Sequence, residues 1–215
     1  EVWGGEYCQT IQLEPLRRED VKAAAKAHGL SAQAFMEAVF AAKAGPLAAK
    51  PVTLLNFLLR EFKDNHGALP DSQVALYESG CRRLVDEWAD HRREQVRSAN
   101  DDAESRFQTA QRVAAAMTFY GRDKLDCRGG EDETADGAVH SREIGTASSS
   151  SEDIPRAPSI QDVENVAHTA LMSGDAVPHL YHFGHRTFQE FLAALFLQDR
   201  KSTRQNSSHV SQSRM

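Results

Sequence analysis

No stretch of this chain is apolar for long enough to cross a bilayer as a helix, and the residues after Glu1 lack the basic-then-apolar order of a secretory leader. Cysteine is scarce: Cys8, Cys81 and Cys127 are an odd number at scattered positions, which points to a reducing compartment rather than a disulfide framework. An excess of positive charge is also missing. With 25 Lys and Arg against 31 Asp and Glu the formal net charge is -6, which argues against a nucleic-acid binder, whose non-specific affinity comes from phosphate attraction. No Gly-x-x-x-x-Gly-Lys-Ser/Thr loop occurs, and no apolar strand ends in paired carboxylates that would hold magnesium. These absences predict a cytoplasmic protein, with no membrane or nucleic-acid partner, that does not hydrolyse ATP alone.

What is present reads as mainly α. The 215 residues suit one domain or two small ones, and 40% hydrophobic content is enough for packed cores. A strand is expected at Tyr7 to Leu13. Arg18 to His28 then reads as a helix ended by Gly29, and Ser31 caps a second that runs to Ala44 and stops at Gly45, with Phe35 and Val39 in its apolar stripe. Pro51 sits where a proline costs least, in a helix's first turn. Leu54, Leu55, Leu58, Leu59 and Phe62 follow at three- and four-residue steps. Asp71 is expected to cap a helix on which Val74, Tyr77, Cys81, Leu84, Val85 and Trp88 share a face, fading into the charged run Asp90 to Glu94. Another helix starts near Asp102, carries Val113, Met117 and Tyr120, and ends at Gly121.

From Arg122 to Ala157 hydrophobic periodicity is lost and Gly, Asp, Glu and Ser dominate, so a flexible insertion is expected over 122–157. Ser159 and Asp162 form a capping-box pattern ahead of Val163, Val166, Ala167, Ala170 and Leu171. A short strand is predicted at Leu180 to Phe183. The tail 200–215 is polar and unlike the helix before it; it is expected to be disordered and reads as translated adapter sequence, with an ordinary disordered terminus as the alternative.

The most informative run is Phe183-Gly-His-Arg-Thr-Phe-Gln-Glu-Phe-Leu-Ala-Ala-Leu-Phe-Leu197, in which a polar His-Arg-Thr sequence precedes a strongly apolar helix. Phe188, Phe191, Leu192 and Leu195 recur at helical spacing and require burial. At the helix start the first backbone N–H groups have no partner within the helix and the peptide dipole is positive, so an anion fits there. His185 either presents its imidazole to such an anion or merely caps and packs.

This run resembles the end of the winged-helix domain in NACHT-type STAND NTPases, where a phrase like His-Arg-Thr-Phe-Gln-Glu-Phe-Leu-Ala-Ala recurs. Two further stretches resemble the same family in the same order. Ala48-Ala-Lys-Pro-Val-Thr-Leu-Leu55 is similar to the helical-domain segment after the nucleotide-binding domain, and Leu69-Pro-Asp-Ser-Gln-Val-Ala-Leu-Tyr77 to the stretch following it. The resemblance spans about Leu13 to Leu197, and its C-terminal motif is the most specific.

The resemblance implies a division into the end of a nucleotide-binding domain (1–16), a helical domain (17–100) and a winged-helix domain (101–199). It implies ADP or ATP as ligand, with magnesium held by an upstream nucleotide-binding domain, and none for the chain alone. His185 would contact the β-phosphate of ADP, a charge-assisted bond worth about 1.5–3 kcal/mol. Pro51 would lie against the adenine, although Ala49 replaces the glycine of the related Gly-x-Pro pattern. Arg186 would reach a phosphate or bridge to a neighbouring acid, and Glu190 would orient a domain contact or face water. Beginning at Glu1 and lacking the P-loop, the chain is expected to be a fragment of a signalling NTPase, such as one in defence, that assembles into a homo-oligomer when activated.

Other readings differ in class. A winged-helix DNA-binding regulator needs Arg or Lys on a recognition helix, and the Ser159 to Met172 segment has none. A helical interaction module without nucleotide is the third. His179, His182 and His185 invite a metal, but strand alternation turns His182 away from the other two and no fourth ligand is apparent. Asp86, Glu87 and Asp90 stand beside Arg82, Arg83 and Arg92, where surface pairing explains them better than acid–base chemistry.

Overall fold

The computed structural model describes residues 14–87, 102–128, 135, 137–146 and 157–212; the expected strand at Tyr7 to Leu13, Trp88 and the run Asp90 to Glu94 lie outside the described residues. The fold is mainly helical, with one small sheet. Two compact units, Glu1–Leu76 and Tyr77–Met215, divide the chain.

Among its described residues, the regular structure of the first unit is all helical. Helix α1 (Arg18–Ala27) opens with the Asp20 carboxylate accepting both the backbone N–H and the Nε–H of Arg17, at 2.9 and 3.2 Å, and ends where Gly29 takes a φ of 74°. Helix α2 (Ala32–Ala41) is capped by Ser31, whose Oγ accepts the Ala34 N–H. It stops three residues earlier than expected. Lys43 turns left-handed at φ 52°, and the Ala44 N–H reaches back to the Val39 carbonyl at 2.9 Å, the bond that closes a helix end in this way. Gly45 therefore begins the short α3 (Gly45–Ala48) instead of terminating α2.

Next come α4 (Pro51–Thr53), a wider-wound π segment (Leu54–Leu58) and α5 (Leu59–Asp64). Leu54, Leu58, Leu59 and Phe62 are buried as their spacing predicts, with Phe57 beside them, while Leu55 remains 44% exposed. Phe35 of α2 meets the Phe62 ring edge-on, centroids 5.2 Å apart, which joins the two helices at the centre of this unit. Helix α6 (Gln73–Asp86) follows; its first-turn cap is Ser72, whose Oγ accepts the Ala75 N–H at 3.1 Å, and not Asp71.

In the second unit the later part of α6 buries Cys81, Leu84 and Val85. Helix α7 (Ala103–Phe119) is capped by Asp102 and ends before Gly121, at φ 63°, as predicted. The region 122–157, expected to be a flexible insertion, has ordered elements among its described residues. It contains β1 (Lys124–Asp126), β2 (Ala138–His140) and α8 (Ser141–Thr146), which bury Leu125, Val139 and Ile144. Strands of three residues are too short to show a period, and their stability comes from pairing with distant partners rather than from local composition.

Helix α9 (Ile160–Ala167) carries the predicted Ser159–Asp162 capping box and buries Val163, Val166 and Ala167. The strands β3 (Met172–Gly174) and β4 (Leu180–Phe183) complete a sheet of order β2-β1-β4-β3, in which β1 pairs parallel with β2 and antiparallel with β4. Helix α10 (Arg186–Gln212) then packs along α7. Its backbone is helical to Gln212, with no Gly or Pro between Arg186 and Gln212 to stop it.

Candidate functional site

The start of α10 is held in place from both sides. On one side β4 lies between β1 and β3, with Phe183 in register with Met172, and the Gly184 N–H donates to the Leu171 carbonyl at 3.0 Å. On the other, Phe188 and Leu192 are almost fully buried, Phe191 stacks on Tyr77 at 5.2 Å and the Gln189 amide reaches Thr118 at 3.2 Å. Leu195 is half-buried. The predicted apolar face is thus the face that packs, and it fixes the polar residues just ahead of it.

His185 is the residue before the first helical turn, and it caps that turn. Its carbonyl accepts the Phe188 N–H at 3.0 Å, and its ring Nδ1 accepts the Thr187 N–H at 3.2 Å, with the Thr187 hydroxyl 2.8 Å from the same nitrogen. A backbone N–H can only donate, so Nδ1 carries no proton and the neutral ring holds its proton on Nε2. The ring is half-buried, tilted against Phe188 at 5.7 Å, and is not sealed in hydrocarbon. Capping and a donor on the opposite edge are therefore compatible in this one side chain.

Arg186 is 86% exposed and its Nε donates to Glu190 at 2.9 Å, an i,i+4 pair on the outer face of α10. Arg186 thus bridges to a neighbouring acid, one of its two expected roles, and that acid is Glu190, which is exposed. His182, on β4, has its Nδ1 3.0 Å from the Phe183 carbonyl, and His179 lies in the turn before β4 at φ 67°. Among the described residues no group of three His, Cys, Asp or Glu side chains is arranged to hold a metal ion.

Pro51 belongs to the first unit. It is exposed at the first position of α4, and Lys50 before it is extended, as a residue ahead of proline must be. Thr53 is fully buried and its hydroxyl donates to the carbonyls of Leu47 and Lys50, tying α3 to α4 directly behind Pro51. Asp86 pairs with Arg106 at 3.3 Å, and Arg82 pairs with Glu78 and Glu104 while stacking over Phe107 at 4.0 Å. The Asp86–Arg106 and Arg82–Glu104 pairs tie α6 to α7, so the partners of Asp86 and Arg82 differ from the neighbouring α6 charges that the sequence offered.

One polar centre gave no sequence signal. The fully buried Asp126 on β1 accepts from the Arg128 guanidinium, at 2.7 Å from Nη2, and from the Arg128 and Ala135 N–H groups, both at 3.1 Å. Burial pushes its carboxyl up, but Arg128 and the two backbone donors outweigh burial and hold it at about 2. It ties Arg128 and Ala135 to β1. An aspartate inside a segment rich in acids and glycines looks the same in sequence whether it is solvated or buried.

Comparison with known proteins finds no matching family model, no matching curated protein and no matching solved structure.

Proposed function

We propose that this chain is the regulatory part of a NACHT-type STAND NTPase, a helical domain followed by a winged-helix domain that closes over ADP or ATP bound, with magnesium, by an upstream nucleotide-binding domain of the same protein. In this reading the closed arrangement holds the protein at rest, and opening permits nucleotide exchange and assembly into a homo-oligomer in cytoplasmic signalling, such as defence signalling. The motif at Phe183 to Leu197 and the two earlier stretches support it. So does the order of α7, β1, α8, α9, β3 and β4, with β1 and β3 flanking β4, which suits a winged-helix domain extended by β2.

The observation that carries the reading is the state of His185. With Nδ1 taken by the Thr187 N–H, Nε2 is left as a donor beside a positive helix end, the chemistry that a phosphate oxygen requires. Pro51 and Arg186 are secondary. Pro51 offers an exposed ring to a base, and Arg186 would have to exchange Glu190 for phosphate.

The test is ADP retention in a protein in which this chain is joined to its nucleotide-binding domain. His185→Ala is expected to lower bound ADP about tenfold to a hundredfold and to raise basal signalling. Unchanged ADP content and unchanged signalling would remove His185 from the mechanism.

A further inference from the structure

The first unit contains a groove of about 450 Å³ formed where the segment before α1, together with α1, α2 and α3, leaves apolar side chains uncovered. Val21 and Val39 line it and are buried, Leu16 and Met36 are half-buried, and Phe40 stands at it with 80% of its surface exposed. Two cations complete the lining, Arg18 and Lys43, and among the described residues no acid lines it. The nearby acids are engaged elsewhere: Glu19 with Lys22 at 3.1 Å, Asp20 with Arg17 at 3.2 Å, and Glu37 with the Gln33 amide at 2.6 Å. Neither Arg18 nor Lys43 has an ion-pair partner among the described residues. In a chain of net charge -6, an apolar groove bordered only by positive charge selects one kind of occupant.

We infer that this groove binds a single-chain amphipathic anion, a medium-chain carboxylate whose tail covers Phe40 and Met36 and whose head meets Arg18 and Lys43. The volume lies within the range of small-ligand sites, about 300–1,000 Å³, whereas a stable protein partner needs roughly 800 Å² of surface on each side. Covering apolar surface supplies the attraction. The two exposed cations supply the choice of head group and make it depend on salt. This site is independent of the nucleotide reading, which concerns His185 and a different ligand.

The test is calorimetric titration of the whole chain, at low ionic strength, with decanoate, decanol and decyltrimethylammonium. Wild type is compared with Phe40→Ser and with the double variant Arg18→Gln, Lys43→Gln; all three side chains are exposed, so melting temperatures should stay unchanged. One decanoate per chain is expected, with decanol and the cation binding about tenfold more weakly. The double variant should lose about tenfold in decanoate affinity, since each exposed charge contributes modestly. Phe40→Ser should also bind more weakly.

No decanoate binding, equal affinity for the three amphiphiles, or an unaffected double variant would overturn the proposal. Binding to phosphatidylglycerol vesicles without binding of free decanoate would overturn it in favour of a membrane surface. Displacement of decanoate by ADP would give the groove to the nucleotide, overturning this inference while leaving the functional reading intact.

Discussion

His185 does two separable things: Nδ1 caps α10, and Nε2 keeps the ring's proton as a donor. His185→Ala removes both, and loss of the cap should cost about 1 kcal/mol in a urea melt. His185→Asn supplies another good capping oxygen, so its stability should stay within about 0.5 kcal/mol of wild type while the imidazole donor is gone. Equal destabilisation by the two variants would contradict the capping geometry. Asp126 yields a prediction of another kind. Its folded-state pKa of about 2 lies below the unfolded value of about 3.9, so its contribution is complete above about pH 4 and is lost as pH falls towards 2. The shift corresponds to about 2 kcal/mol. Asp126→Asn should lower stability by a similar amount at pH 7 and flatten the acid limb of the stability profile between pH 4 and 2. An unchanged acid limb would show that the Arg128 pairing is not formed in solution.

Elements set by local chemistry were legible. The Ser159–Asp162 box, Gly29 and Gly121 as helix ends and the stripe from Leu54 to Phe62 act over three or four residues, and each appears where its pattern predicts. What was not legible depends on distant partners. Lys124 to Asp126 is a strand because β4 and β2 lie on either side of it, and nothing in its own three residues says so. The end of α2 was misread for a different reason: Lys43 occupies the left-handed position that glycine usually fills, so Gly45 looked like the stop. A lysine there bears a steric cost of about 1 kcal/mol. Lys43→Gly should therefore stabilise the first unit by up to about 1 kcal/mol, read from the urea midpoint. A destabilised variant would contradict the strained geometry.

At the scale of the whole molecule the candidate site was legible as a motif but not as a geometry. Phe183 to Leu197 announced a polar-headed helix, yet only the structure shows that Arg186 is bonded to Glu190 and that the His185 ring serves its own helix first. The charge balance makes the competing DNA reading testable on the chain as it is. With 31 acids against 25 bases and no Lys or Arg on α9, no salt-dependent gel shift with duplex DNA is expected. A shift that weakens steeply with added salt would favour the regulator reading instead.

The measurement that bears most directly on the central claim is the ADP content of the complete protein, purified as wild type and as His185→Asn. The account predicts that this variant melts with wild type and yet loses ADP about tenfold or more, because the cap survives and the imidazole N–H, with its reach beyond the shorter amide, does not. Full ADP retention by His185→Asn, or the absence of nucleotide from the wild-type protein, would contradict it.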